Sequence, residues 1–251
     1  MRASLWPGLL QAARHNLARQ QDRVRLFESG LVFLREGDAL QQRPFLAGVL
    51  CGDRVPEQWG EAAQAVDFFD LKGDVEAVLG QVDMLGTCRF RALPEAAPQA
   101  AVLHPGQSAV IERDGERAGV LGHLHPELLA RLDLPAHLFV FELDLERLQA
   151  GRLPAFQPLS KFPSIRRDLA LLAPLALSCA QILDCVRGAA PAVVREVRLF
   201  DVYQGDTIES GRKSVALSLI LQDSSHTLVD QEVEEASAAV LAALADELGV
   251  I

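Results

Sequence analysis

Positive charge, aromatic rings and paired cysteines are all scarce in this chain. Its 251 residues carry 24 Lys and Arg against 34 Asp and Glu, a formal net charge of −10. That balance disfavours a protein that coats nucleic acid through bulk charge. It does not exclude a local RNA site, because affinity follows the field at the contact face and not the total. The cysteines, Cys51, Cys88, Cys179 and Cys185, include no C-x-x-C pair, and no histidine cluster stands at metal spacing. They read as reduced, mostly buried thiols of a cytoplasmic protein, and no metal site is expected. No apolar run reaches the ~18 residues that a bilayer span needs, so a membrane is not expected as a partner. The opening Met1-Arg2-Ala3-Ser4-Leu5-Trp6-Pro7 carries a single charged side chain and breaks at Pro7, unlike a secretory signal. What is present is ordinary for a soluble globular protein: 49% apolar and 23% charged residues. The length suits one large or two modest domains.

The segment 151–159, with Pro154 and Pro158, breaks periodicity and is the expected linker between a domain at 1–150 and one at 160–251. In the first, a helical pattern runs from Leu9 to Arg19. The strand-like runs Val24–Phe33 and Pro44–Leu50 flank the turn Glu36-Gly37-Asp38 and predict an antiparallel hairpin. Asp67–Leu79 reads as a helix with Asp67 as its cap. Ala109–Glu112 and Ala118–Leu121 predict a hairpin around Asp114-Gly115, a helix starts near Pro126, and Leu138–Leu143 is a strand. The second domain reads as strand Arg167–Leu172, helix Ser178–Gly188, strands Val193–Tyr203 and Ser214–Leu221, helix Asp230–Leu248, and a last strand begun at Val250–Ile251. That βαββαβ order is the ferredoxin-like pattern. It places two helices on one sheet face and leaves the other open. The fold class expected is therefore α+β.

Several stretches carry a family resemblance. Residues 1–10 with Val24-Arg25-Leu26-Phe27-Glu28-Ser29-Gly30-Leu31-Val32-Phe33 are similar to the second signature motif of class II aminoacyl-tRNA synthetases. Asp67-Phe68-Phe69-Asp70-Leu71-Lys72-Gly73, Phe141-Glu142-Leu143-Asp144-Leu145 and Phe162-Pro163-Ser164-Ile165-Arg166-Arg167-Asp168-Leu169-Ala170 add to it. So do Leu199-Phe200-Asp201-Val202-Tyr203-Gln204-Gly205 and Gly211-Arg212-Lys213-Ser214. Together they resemble the β subunits of bacterial phenylalanyl-tRNA synthetases over essentially the whole chain. The resemblance implies a part of an α₂β₂ ligase that joins phenylalanine to its tRNA with ATP and Mg²⁺. The α subunit and tRNA-Phe would be the partners, and DNA would not. It also implies a fragment that starts partway into a synthetase-like domain and ends in an anticodon-binding domain.

The same comparison argues against chemistry in this chain. Working class II enzymes hold the ATP α-phosphate with an Arg in a Phe-Arg-x-Glu string, where negative charge develops. Here the string is Phe33-Leu34-Arg35-Glu36, with Leu34 at the arginine position. Neighbours on a strand face opposite ways, so Arg35 cannot substitute without a bulge. The third motif, Gly-x-Gly-x-Gly-x-Glu-Arg, lets adenine lie against a bare strand. Here Val140, Glu142 and Asp144 replace its glycines, and only Glu146-Arg147 survives. No catalytic residue is expected. His104, His123 and His125 suit turn and helix-entry roles, and His226 a solvated loop.

RNA is expected at the second domain. Its final helix collects acids (Asp230, Glu232, Glu234, Glu235, Asp246, Glu247), while Arg166, Arg167, Arg195, Arg198, Arg212 and Lys213 lie on strands and loops. Single-stranded loops are read by aromatic stacking and by hydrogen bonds to base edges. Tyr203, the only tyrosine, leads the expected contacts. Ser214, Lys213, Arg212, Phe200 and Arg167 follow, and Asp168 is expected to pair structurally with Arg167. Trp6, Phe68 and Phe69 are the expected apolar anchors for the α subunit, since aromatics dominate interfaces. A small-molecule regulatory module and a pure scaffold are the alternatives.

Overall fold

The computed structural model describes residues 1–82, 85–148, 159–205 and 207–250. The chain divides into two compact units, Met1–Pro154 and Ala155–Ile251. The expected linker, apart from Leu159, lies outside the described residues.

The first unit opens with helix α1, Trp6–Leu17. Pro7 sits in its first turn, where a missing N–H costs nothing. Strands β1 (Val24–Glu36) and β2 (Ala39–Cys51) form the expected hairpin, closed by Gly37 at φ +61°. Both strands run further than their apolar patterns suggest, because ladder bonds carry the pairing out to Glu36↔Ala39 beyond the buried part. Helix α2, Phe68–Gln81, starts at Asp67, whose carboxylate accepts the amides of Phe69 and Asp70 while Asp70 returns the bond.

Strands β3 (Cys88–Ala92), β4 (Leu103–Arg113) and β5 (Glu116–Leu124) come next. Asp114 and Gly115, both at positive φ, make the tight turn between β4 and β5. Helix α3 (Pro126–Leu132), strand β6 (Leu138–Asp144) and the short helix α4 (Leu145–Leu148) complete the unit. Its six strands form one antiparallel sheet in the order β1-β2-β6-β5-β4-β3. Helix α1 covers one face: Leu5, Trp6, Leu9 and Ala13 pack with Val32, Val49, Leu138 and Val140. Helix α2 covers the other, where Leu71, Val75 and Leu79 meet Ile111, Leu121, Phe139 and Leu143. Strand β6 is thus buried on both faces.

The second unit comprises β7 (Ile165–Pro174), α5 (Cys179–Ala189), β8 (Val194–Tyr203), β9 (Arg212–Leu221) and α6 (Asp230–Leu248). Its antiparallel sheet has the order β7-β9-β8. One core joins Leu171, Val215, Leu217 and Leu219 to Ile182 and Val186 of α5 and to Val233, Val240 and Leu244 of α6. The expected last strand is not found among the described residues. After Gly249, at φ +62°, the Val250 amide donates to the Leu244 carbonyl and its side chain is buried. Val250 therefore closes α6, and the described order is βαββα. Among the described residues no helix is long and apolar enough to cross a membrane.

Candidate nucleic-acid interface

In the first unit the positions expected to have lost nucleotide binding are occupied by structure. Val140, Glu142 and Asp144 all point to the α1 side of β6. Val140 is fully buried, facing Val49 and Gly122 across the ladder. Glu142 Oε1 accepts the Leu5 amide at 2.8 Å and the Ser4 hydroxyl at 2.9 Å, so the carboxylate anchors the start of α1. Burial pushes its carboxyl up, opposed by the Leu5 amide, the Ser4 hydroxyl and the Arg117 guanidinium. Asp144 lies 2.6 Å from Arg43 Nη2 and accepts the Glu146 amide. Glu146 shares Arg43 with Asp144, and Arg147 pairs with Glu116 and lies 3.8 Å from Asp144. Leu34 packs against the α1 core. The β1–β2 register is unbroken, so no bulge turns the exposed Arg35 inward.

A cavity of about 620 Å³ remains between α1 and α3, walled mainly by Trp6, Leu10, Leu124, Leu128 and Leu132. An apolar wall and a buried carboxylate do not fit a nucleotide triphosphate. The histidines take local roles: His104 Nδ1 accepts the Gly106 amide and His125 Nδ1 accepts Glu127 N at the start of α3. His123 is buried, with Nε2 2.6 Å from the Ala136 carbonyl. Among the described residues no group of three or more His, Cys, Asp or Glu suits a metal ion.

In the second unit both helices pack on one sheet face. On β9, Lys213, Val215, Leu217 and Leu219 turn to the helices, while Arg212, Ser214, Ala216 and Ser218 turn to the open face. Ser214 lies directly opposite Tyr203 of β8. Tyr203 is 47% exposed and Phe200 52%. Phe200 sits where β8 bulges between Leu199 and Asp201, and its ring lies under the Arg166 guanidinium, 5.3 Å from the ring centre. Arg166 grips Asp168 through two nitrogens, at 2.8 and 3.2 Å, and the Ser218 hydroxyl donates to the same carboxylate at 2.6 Å. Arg166 first, then Ser218, holds the Asp168 carboxyl below its usual range. Arg198 does the same for Glu196. Arg166 and Arg198 on this open face are therefore each matched by a carboxylate of the same strand.

Two expected contacts are displaced. Lys213 is buried, with Nζ donating to the Leu175 carbonyl at 3.2 Å, because strand alternation turns it away from Ser214. Arg167 pairs with Leu219, on the helix-bearing face, so the partner of Asp168 is Arg166. Arg212 lies half-buried, 3.5 Å from Glu209. The open face also carries Arg166, Arg198 and Ser218, to which the sequence assigned no contact; Leu169 and Leu171 point to the core, so Arg166 and Asp168, out of phase with them, fall on the other face of β7. His226 is not simply solvated: its Nε2 lies 2.9 Å from Glu232, which raises its proton affinity. Of the expected subunit anchors, Trp6 is buried, with Nε1 donating to the Phe141 carbonyl, and Phe68 is half-buried. Phe69 is 73% exposed, as is an unexpected ring, Phe27, at 78%.

Comparison with known proteins gives this geometry its context. Residues 1–145 match the phenylalanyl tRNA synthetase beta chain CLM domain, and residues 160–251 match the ferredoxin-fold anticodon binding domain. The chain is 53% identical over 248 residues to the phenylalanine–tRNA ligase beta subunit of Pseudomonas savastanoi pv. phaseolicola, covering 99% of this chain and 31% of that protein. It is 48% identical over 249 residues to the subunit of the same name from Methylococcus capsulatus, and 46% identical over 251 residues to that from Nitrosococcus oceani. The chain spans 31% of the length of each of these relatives. A pyrrolysyl-tRNA synthetase from Desulfitobacterium hafniense overlaps more loosely, at 15% identity and a TM-score of 0.42, covering 59% of this chain and 48% of that one. On its matches to both domain models, and to the first over more than half its length, this chain belongs to the phenylalanyl-tRNA synthetase beta-chain family.

Proposed function

We propose that this chain is the synthetase-like and anticodon-binding part of the β subunit of a cytoplasmic phenylalanine–tRNA ligase. In this reading residues 1–150 support the catalytic α subunit without a working site, residues 151–159 link, and residues 160–251 bind the anticodon region of tRNA-Phe. ATP and Mg²⁺ serve the whole enzyme at α. The exposed Phe69 and Phe27 are the apolar groups offered to α, in place of the buried Trp6.

The observation that carries the RNA reading is the end of β8. Phe200 and Tyr203 stand exposed on the sheet face without helices, with the Ser214 hydroxyl across the ladder from Tyr203. Each base stacked on such a ring contributes about 1–3 kcal/mol. Because Arg166 and Arg198 are matched by Asp168 and Glu196, this face reads rings and base edges more than phosphates. Its contribution to binding is accordingly only weakly dependent on salt.

The test is a titration of tRNA-Phe against an unrelated tRNA, at two salt concentrations, with the assembled α₂β₂ enzyme. Tyr203→Ala is expected to weaken tRNA-Phe by about 1–3 kcal/mol with little change in the salt slope. Undiminished binding by this variant would remove Tyr203 from the interface.

A further inference from the structure

Tyr203 ends β8, and the chain returns to β9 through residues 204–211. Two glycines in that loop serve different needs. Gly211, at φ +85°, is required by the backbone, and a β-carbon there would meet nothing within 4 Å. Gly205 has no positive φ, so its φ does not call for glycine. A β-carbon on it would lie 2.3 Å from Tyr203 Oη, 2.6 Å from Cζ and 3.1 Å from Cε1. The phenol end of the tyrosine therefore rests on the bare α-carbon two residues further along the chain. Thr207 Oγ1 reaches Oη at 3.5 Å, and the Ile208 amide closes the turn on the Gly205 carbonyl at 3.0 Å.

We infer that Gly205 is the seat of the Tyr203 ring, a positioning residue that holds the ring ready for a base. The inference rests on the reading of Tyr203 as a stacking platform. An exposed aromatic side chain that must be ordered on binding loses affinity to rotamer entropy. A ring already lodged against its own loop, still 47% exposed, has less freedom left to lose. Any side chain at 205 displaces the phenol end, and the ring then leaves the place against Gly205 and Thr207 that it holds on the strand position opposite Ser214.

The single tyrosine makes the test direct. With 3-fluorotyrosine incorporated, the 251-residue chain yields one ¹⁹F resonance, from Tyr203. Gly205→Ala is expected to move or split that resonance while the circular dichroism spectrum stays unchanged. In the assembled enzyme it is expected to weaken tRNA-Phe by about fivefold or more, the lower end of a lost stack. The double variant Gly205→Ala, Tyr203→Ala should bind no more weakly than Tyr203→Ala alone, since the glycine acts through the ring.

An unmoved resonance in Gly205→Ala overturns the seat. A moved resonance with unchanged tRNA binding overturns its role in recognition. A double variant weaker than Tyr203→Ala by the full glycine factor shows Gly205 acting on its own and overturns the inference as well. If Tyr203→Ala itself leaves binding intact, the platform reading falls with it, while the resonance still decides whether Gly205 seats the ring.

Discussion

Glu142 shows how one residue can close a site and hold a fold at once. Where a nucleotide-binding strand would carry glycine, its carboxylate is buried and takes the Leu5 amide and the Ser4 hydroxyl at the start of α1. Without that carboxyl the buried Leu5 amide has no acceptor. Glu142→Ala is therefore expected to destabilise the chain by about 1–3 kcal/mol, the cost of stranding a buried donor, as read by denaturant unfolding. Glu142→Gln keeps an acceptor and removes the charge. The sign of the pH effect follows from burial, which raises the folded-state pKa above the unfolded value. The fold then favours the protonated acid. Any stability owed to this group is fully present below the unfolded pKa and is lost as pH rises through the folded one. Relative to wild type, Glu142→Gln should gain in melting temperature as pH climbs from about 4.5 towards neutrality. A pH-independent difference would mean that the carboxyl is not raised.

At the scale of elements, alternation along strands decides which groups meet a partner. Strand β9 sends Val215, Leu217 and Leu219 into the core and Ser214 and Ser218 to the open face. Helix α6 lies on the opposite side, with Glu234 and Glu235 exposed on its outer surface. If RNA approaches the open face, those acids are separated from it by the sheet and its core, about 10 Å, a distance comparable to the screening length at physiological salt. Glu234→Lys is expected to change tRNA-Phe binding by less than about 0.5 kcal/mol, the usual range for a surface substitution away from a site. Tyr203→Ala should cost more in the same titration of the assembled enzyme. The reverse ranking would place the RNA on the helical side.

At the scale of the whole molecule, the first unit keeps an antiparallel sheet with a helix on each face but fills the positions at which adenylation would occur. Leu34 packs inward, Val140 is buried, and Glu142 and Asp144 are engaged by α1 and Arg43. The chain alone is expected to give no phenylalanine-dependent pyrophosphate exchange above a blank; measurable exchange from a preparation free of contaminating enzyme would refute this. Much of the fold was legible beforehand, because helices and strands follow from local periodicity and caps. Helix α6 spans Asp230–Leu248 as its pattern reads, and Asp67 and Ser178 cap the helices that they precede. Strand β3 escaped notice because it is a short edge strand with one buried residue, Cys88, and so carries almost no pattern.

The site was legible only in part. A period of two tells which residues of a strand share a face, but not which face the helices cover; long-range packing settles that. It sent Lys213 into the helical side and left Ser214 outside, and it gave Asp168 to Arg166 instead of Arg167. The bulge at Phe200 shifts the count within β8, so that Tyr203 and Leu199, an even number of residues apart, face opposite ways. The sequence by itself determined most of the elements, the family and the absence of motif glycines and arginine, because these are local. Only the tertiary structure decided which face of the last sheet stays open and which rings stand on it, because that depends on where α5 and α6 pack.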